Sequence, residues 1–350
     1  MEETNIKDFM ITEENSIFEA MKRLDIVGKK ILLVVRDGRL VATLTDGDVR
    51  RWILKKGDLA AKVKDIANYN PKYLRENEKN RAGRFLKDNS IEAVPILNEK
   101  DEIVSLVLWT DEEVGVQKKL DIPVVIMAGG QGTRLYPYTR ILPKPLIPIG
   151  EIPITEHIMN RFLEYGCRKF FLVINYKKNM IKAYFNELKR DFDICYIEEE
   201  EPLGTGGGLS LLKGQINSTF IMTNCDILIE EDCQEIYEYH KNEKNLITMV
   251  CSLKNMQIPY GVIDIDEKGK LVNIREKPQR PFLVNTGMYI IESEVIEKME
   301  CDKPIDFPEI IKKYLKQGSK IGIYPISEDS WLDMGQFDEM EKMRRKLGYE

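Results

Sequence analysis

The sequence predicts an α/β protein in two parts, a repeated module over 1–118 and a larger domain over 119–350 built on a mostly parallel, mixed sheet. Three observations predict it. The stretch before Lys119 resembles itself when one half is laid on the other. A glycine cluster, "AGGQGTRL" at 128–135, follows the apolar run "PVVIM", as where a strand empties into a phosphate-binding loop. From that point strand-like and helix-like segments alternate.

In the first part, "KDFM" at 7–10 and "KDIA" at 64–67 each precede an Asn-containing turn and a helix-like run, "SIFEAMKRLD" and "NRAGRFLKDN". Two apolar strands follow each helix, "ILLVVRDGRLVATL" and "AVPILNEKDEIVSLVLW", joined by charged hairpin turns. Both copies, 1–58 and 59–118, close on Thr-Asp, in "LTDGDVRR" at 44–51 and "WTDEEV" at 109–114. Two tandem βαββα-like units ending this way resemble a CBS-domain pair, with "GRLVATLTDGDVRR" carrying the resemblance. The resemblance implies a dimerising module whose clefts take an adenine nucleotide, with Thr45 and Asp48 on phosphate and ribose. Thr and Asp are also ordinary helix N-caps. The second copy departs from the pattern, carrying Glu113 where the first has Asp48.

In the second part, strand "VVIMA" leads to helix "ITEHIMNRFLEYG", strand "KFFLVIN", helix "MIKAYFNELK" and strand "DICYIE". Helix "GGGLSLLKG", strand "TFIMTNCD", helix "QEIYEYHKN" and strand "LITMVCSL" continue the alternation. Such a pattern predicts helices on both faces of the sheet and a ligand site at the carboxyl ends of the strands. The glycine loop is not the dinucleotide fingerprint, because Leu135 stands where the third glycine belongs, and it lacks the Lys-Ser/Thr of a Walker A loop. Gly129, Gly130 and Gly132 admit an anion to the backbone amides, and Arg134 and Lys144 add positive charge.

The full string "AGGQGTRLYPYTRILPKPLIPIG" resembles the signature of sugar-1-phosphate nucleotidyltransferases, and the resemblance continues beyond it. It implies a Rossmann-like, GT-A-like mixed sheet and attack of a sugar 1-phosphate on a nucleoside triphosphate with loss of pyrophosphate. By position, Ala128, Gly129, Gly130, Gly132, Thr133 and Arg134 bind the nucleotide, while Arg134, Lys144, Asp226 and Lys277 serve catalysis. Asp226 in "TNCDIL" and Asp333 in "SWLDMGQF" would hold Mg²⁺, which takes few protein carboxylates and completes its shell with phosphates and water. "EEEEPLGTGGGL" at 198–209 resembles the base-recognition turn, with Glu199, Leu203, Gly204 and Thr205 against the nucleotide. A carboxylate there matches the N1–H and N2–H₂ donors of guanine, so GTP is the expected donor. Tyr260, Gly261, Glu276, Lys277, Asn285 and Gly287 fall on the sugar-phosphate side. The combination looks most like the guanylyltransferase branch, in which a similar fusion makes GDP-glucosamine for bacterial legionaminic-type acid synthesis. Mannose 1-phosphate is the second choice of substrate, and uridylyl or thymidylyl transfer the alternative within the family. A non-catalytic nucleotide sensor on the same fold would tend to lose Arg134, Lys144, Asp226, Lys277 and Asp333, all of which are present.

Composition narrows the partners. A net charge of −6 argues against a nucleic-acid surface or a polybasic membrane anchor. No run approaches the roughly 20 apolar residues of a membrane span and "MEETNIKDFM" has no apolar core, so a cytoplasmic location is expected. Six scattered cysteines without a C-x-x-C pair read as free thiols, and two histidines leave little for a zinc site or a histidine relay. Catalysis must rest on Asp, Glu, Lys, Arg and metal. The lack of hexapeptide repeats after Asp333 gives the further expectation that this is no bifunctional uridylyl/acetyltransferase, and the CBS-like module suggests a homo-oligomer.

Overall fold

The structure, a computed structural model, describes residues 6–89, 91–108, 120–299 and 304–349. The chain divides into two compact units, Met1–Gln117 and Lys118–Glu350.

In the first unit, β1 (Met10–Ile11), α1 (Ile17–Val27), β2 (Ile31–Arg36), β3 (Arg39–Thr45) and α2 (Asp46–Leu54) precede β4 (Leu74–Arg75), α3 (Ala82–Asn89), β5 (Ala93–Leu97) and β6 (Ile103–Leu108). Strand order is β1-β2-β3 in one sheet and β4-β5-β6 in the other. In each, the first pair is parallel and the second antiparallel, so the repeat seen in the sequence is a repeat of topology. Helix α1 starts at a capping box, in which Ser16 Oγ accepts from the Glu19 N–H at 3.1 Å and the Glu19 carboxylate accepts from the Ser16 N–H at 2.7 Å. It turns Ile17, Ala20 and Leu24 onto Leu32, Val34 and Leu44 of the hairpin. A smaller core of Leu74, Leu86, Val94 and Ile96 serves the second copy. The segment "WTDEEV", with Glu113, lies outside the described residues.

The second unit opens with β7 (Val124–Ala128), α4 (Tyr138–Ile141), β8 (Pro148–Ile149), β9 (Ile152–Pro153), α5 (Ile154–Glu164), β10 (Lys169–Ile174), α6 (Lys178–Glu187) and β11 (Asp193–Glu198). It continues through α7 (Gly204–Ser210), β12 (Phe220–Asn224), β13 (Ile227–Ile229), α8 (Cys233–Asn242), β14 (Ile247–Gln257), β15 (Val262–Ile265) and β16 (Leu271–Arg275). Then come β17 (Gln279–Ile291), α9 (Glu294–Glu297), α10 (Phe307–Lys316), β18 (Ile321–Ile326), β19 (Trp331–Asp333) and α11 (Phe337–Lys346). Seven strands form the main sheet in the order β11-β10-β7-β12-β17-β14-β18. Strands β11, β10, β7 and β12 run parallel, and β14 is parallel to β18. Between them β17 is antiparallel to both neighbours, so the sheet is mostly parallel and mixed, as expected, through one reversed strand.

Period-two alternation explains the layers. Val124, Ile126 and Ala128 face one core with Phe170, Leu172 and Ile174, while Val125 and Met127 face the other with Phe171 and Val173. Helix α5 covers the first face with Ile154, Ile158, Met159 and Phe162; α10 covers the second with Phe307, Ile310, Ile311 and Tyr314 at helical spacing. Among the described residues, no helix is long and apolar enough to cross a membrane.

Candidate active site

Strand β7 runs out at the buried Ala128, and the glycines follow at the carboxyl edge of the sheet. Gly132 sits in the left-handed region at φ 66°, starting the 3₁₀ turn Thr133–Leu135, and its carbonyl accepts from Thr139 Oγ1 at 2.9 Å. Downstream, a second 3₁₀ turn at Lys144–Leu146 buries Lys144, whose ammonium forms a close ion pair with the Asp226 carboxylate.

Asp226 lies in the turn between β12 and β13 and is itself buried. Short strand β19 pairs with β13 with Ile227 opposite Asp333, and the Met334 N–H donates to the Asp226 carbonyl at 2.8 Å. Two carboxylates far apart in the chain thereby converge. Burial first, and then the Asp226 charge, push the Asp333 carboxyl above its ordinary range, against the pull of the Gly335 N–H, Lys144 and Arg134. A carboxyl raised by burial and by a neighbouring carboxylate is a fitting seat for a divalent cation, so the donors suit Mg²⁺. The adjacent Cys225 thiol is pushed up to about 12 by burial and by Asp226, which leaves it protonated and inert. All five described cysteines are free.

Glu199, the first residue after β11, is only 5% exposed. Its N–H donates to the Ile174 carbonyl at 2.9 Å, and its own carbonyl accepts from Asn175 Nδ2 at 3.0 Å. The carboxylate lies between two glycines: a methyl added to Gly129 would fall 2.4 Å from Oε2, and one on Gly208 would fall 2.5 Å from Oε1. Burial raises its pKa, with the Leu203 N–H pulling the other way. Glu198 is differently occupied, since hydrogen bonds from Lys178 and Lys182 hold its carboxyl down at about 2. Glu200 and Glu201 are exposed.

Thr205, expected against the nucleotide, also serves the fold. Its hydroxyl accepts from the Phe307 N–H at 3.0 Å, at the start of α10, because the helix's first amides need an acceptor. Leu203 and Gly204 form the turn beside it, and the Leu203 carbonyl accepts from the Ile305 N–H at 2.9 Å.

On the sugar-phosphate side, Glu276 lies against Gly261, where an added methyl would stand 3.0 Å from Oε2. Lys277 adopts a left-handed backbone at φ 44°, and Tyr260 is 74% exposed. Asn285 Nδ2 donates to the Tyr289 hydroxyl at 2.5 Å, and its Oδ1 accepts from the Gly287 N–H at 3.2 Å. Gly287 closely abuts Asn224, two residues before Asp226, which ties β17 to the acidic turn. In the first unit, Thr45 and Asp48 cap α2 reciprocally: the Asp48 N–H donates to Thr45 Oγ1 at 3.3 Å and the Thr45 N–H to Asp48 Oδ2 at 2.9 Å. Asp48 also pairs with Arg51.

Sequence reasoning missed the pairing of Lys144 with Asp226, the contact of Gly208 with Glu199 and that of Asn224 with Gly287. The run of three glycines at 206–208 was the one available signal that a backbone or side chain passes close there.

A family model described as nucleotidyl transferase matches residues 123–349. The chain belongs to the nucleotidyl transferase family. Within that family, it is 31% identical over 221 residues to a protein named bifunctional protein GlmU from Methanococcus aeolicus, covering 61% of this chain and 51% of that one. It is 29% identical over 219 residues to a mannose-1-phosphate guanylyltransferase of Mycobacterium tuberculosis, covering 61% of each. The matched part thus spans about half to three fifths of these curated relatives. Among solved structures, HddC from Yersinia pseudotuberculosis superposes with a TM-score of 0.52 at 27% identity, over 65% of this chain and 99% of that chain. The same protein complexed with GMP-PN gives 0.50 at 26% identity, over 65% and 99%.

Proposed function

We propose that the second unit transfers a nucleoside monophosphate from GTP to a hexose or hexosamine 1-phosphate, with glucosamine 1-phosphate the first choice and mannose 1-phosphate the second. The convergence of Lys144, Asp226 and Asp333 at the mouth of the glycine loop carries this reading. Both substrates are polyanions, so the protein's task is to hold them in line and neutralise them. Asp226 and Asp333 would hold Mg²⁺, which supplies charge neutralisation at the phosphate oxygens when bound. The glycine-loop amides and Arg134 receive the triphosphate, and Lys144 offers its ammonium to a phosphate oxygen once Asp226 is otherwise engaged. Lys277 neutralises the sugar phosphate, and Glu276 accepts from sugar hydroxyls.

Glu199 supports the choice of base. It is the one buried carboxylate of the "EEEE" run and its flanks are backbone, so a guanine edge with two adjacent donors suits it better than a pyrimidine with one. The relative complexed with GMP-PN supports the same choice. For the first unit, the duplicated strand–helix–hairpin supports a CBS pair; to it we further assign an adenine nucleotide near Thr45 and Asp48, and to the enzyme a bacterial nucleotide-sugar route of the legionaminic type. The test is pyrophosphate release with each nucleoside triphosphate against a panel of sugar 1-phosphates, with Mg²⁺ and with chelator. GTP is expected to give the highest kcat/KM; no turnover with any pair would overturn the reading, and UTP or dTTP in first place would overturn the base assignment.

A further inference from the structure

We infer that one face of the β15–β16 ribbon is the seat of a second copy of this chain. The two strands form a sheet of their own, and no residue in either strand is buried. Register divides the ribbon cleanly. Ile263 opposes Ile274 and Ile265 opposes Leu271, so these four side chains share one face, with Val272 at the bulge beside them. The other face carries Asp264 opposite Asn273 and an ion pair from Asp264 to Arg275 at 2.8 Å. The apolar face is bare: Ile263 is 60% exposed, Ile265 65%, Ile274 58%, Leu271 52% and Val272 66%.

An isolated two-stranded ribbon is marginally stable in water, and an aliphatic face of this kind marks a contact surface. Its chemistry selects the occupant. In a two-fold contact residue i of one copy meets residue j of the other while j meets i, and residues at the axis meet themselves, which an uncharged, uniformly aliphatic face tolerates. Charges of both signs sit at the turn, "DEKGK" at 266–270, and at the base, Arg275, Glu276 and Lys277, so antiparallel ribbons would bring no block of like charge together. That mixed rim suits neither an anionic membrane nor nucleic acid. With all five side chains covered in both copies, two such faces would bury on the order of 1,000 Å², the lower limit for a specific interface. Sheet-on-sheet packing about 10 Å apart would cover both.

Sedimentation velocity of the full chain tests this, comparing the native protein with an Ile263→Lys, Ile274→Lys double variant whose changes lie on exposed positions. The native protein is expected to sediment as a dimer or a multiple of dimers, and the variant at half the native mass. A second measurement covers a variant that aggregates: Ile274→Cys is expected to give a disulfide-linked dimer on mild oxidation, whereas Asn273→Cys, on the opposite face, is not. A monomeric native chain, an unchanged mass in a folded double variant, or equal cross-linking from 273 and 274 would overturn the assignment. A ribbon covered by another part of the same chain or by a different protein would produce the first of these results.

Discussion

A methyl group on Gly129 is a perturbation whose size follows from the structure. Its Cβ would lie 2.4 Å from Glu199 Oε2 and 3.4 Å from Cδ, so the oxygen must retreat by about 1 Å to reach ordinary contact. Retreat is blocked, because the other carboxylate oxygen lies against Gly208, near Val173 and Met127, and the residue is 5% exposed. Backbone conformation is not the issue, since Gly129 lies outside the left-handed region. Overpacking of this kind costs about 1–3 kcal/mol. If Glu199 reads the base, a shift of about 1 Å is expected to lower kcat/KM for GTP by roughly 10²-fold, and to lower it less for UTP, which gains less from the carboxylate. The assay is pyrophosphate release with each nucleotide, with a thermal melt alongside. Gly130→Ala, whose methyl meets nothing within 4 Å, is expected to melt with the native protein. A Gly129→Ala enzyme that keeps both the native GTP rate and the native GTP preference would refute the reasoning.

Asp226→Asn and Asp333→Asn are each expected to lower kcat by at least about 10²-fold with the fold retained by circular dichroism; near-native rates in both would remove the metal assignment. Because the Asp333 pKa is raised in the fold, the chelated native protein is expected to lose stability as pH rises from about 4 through that raised value, whereas Asp333→Asn is not; parallel urea midpoints across the range would contradict this. His240 lies buried between Thr248 and Glu292 with Lys241 nearby, and burial lowers its pKa. The unfolded chain therefore binds the extra proton first, and stability is expected to fall as pH drops below about 6.5, a slope that His240→Gln reduces. Thr45→Ala is expected to cost about 1 kcal/mol through the lost cap of α2, with Thr45→Ser recovering most of it; calorimetric titration of AMP into both variants separates this from any loss of ligand.

The layers were legible because short apolar runs such as "VVIMA" mark strands covered on both faces. The predicted strand "DICYIE" coincides with β11, and the alternation of Val124 to Ala128 between two cores follows from the sequence alone. The insertion of β17 between β12 and β14 was not legible, since strand order depends on which partners meet after long loops close, and no local pattern records it. Helix boundaries failed where glycine was called to serve packing: "GGGLSLLKG" suggests a helix to Gly214, yet α7 begins at Gly204 and stops at Ser210, with Gly206, Gly207 and Gly208 buried. At the site, the residue types were readable and their partners were not. Lys144 was readable as a cation of the site but not as the partner of Asp226, and the bond from the Phe307 N–H to Thr205 was not readable at all. Both pairings cross long stretches of chain, where charge and spacing carry no signal.

The pairing of β13 with β19 stands apart from the seven-stranded sheet, and with the Met334 N–H on the Asp226 carbonyl it brings Asp333 to Asp226. The site therefore has a seam. Opening β19 and α11 would separate the two carboxylates while the main sheet stays closed, so heat or a protease acting on that segment is expected to silence the protein well short of global unfolding. Conversely, a cation held by both carboxylates binds only the closed form and so staples the segment shut, which couples the firmness of this corner to the free metal concentration.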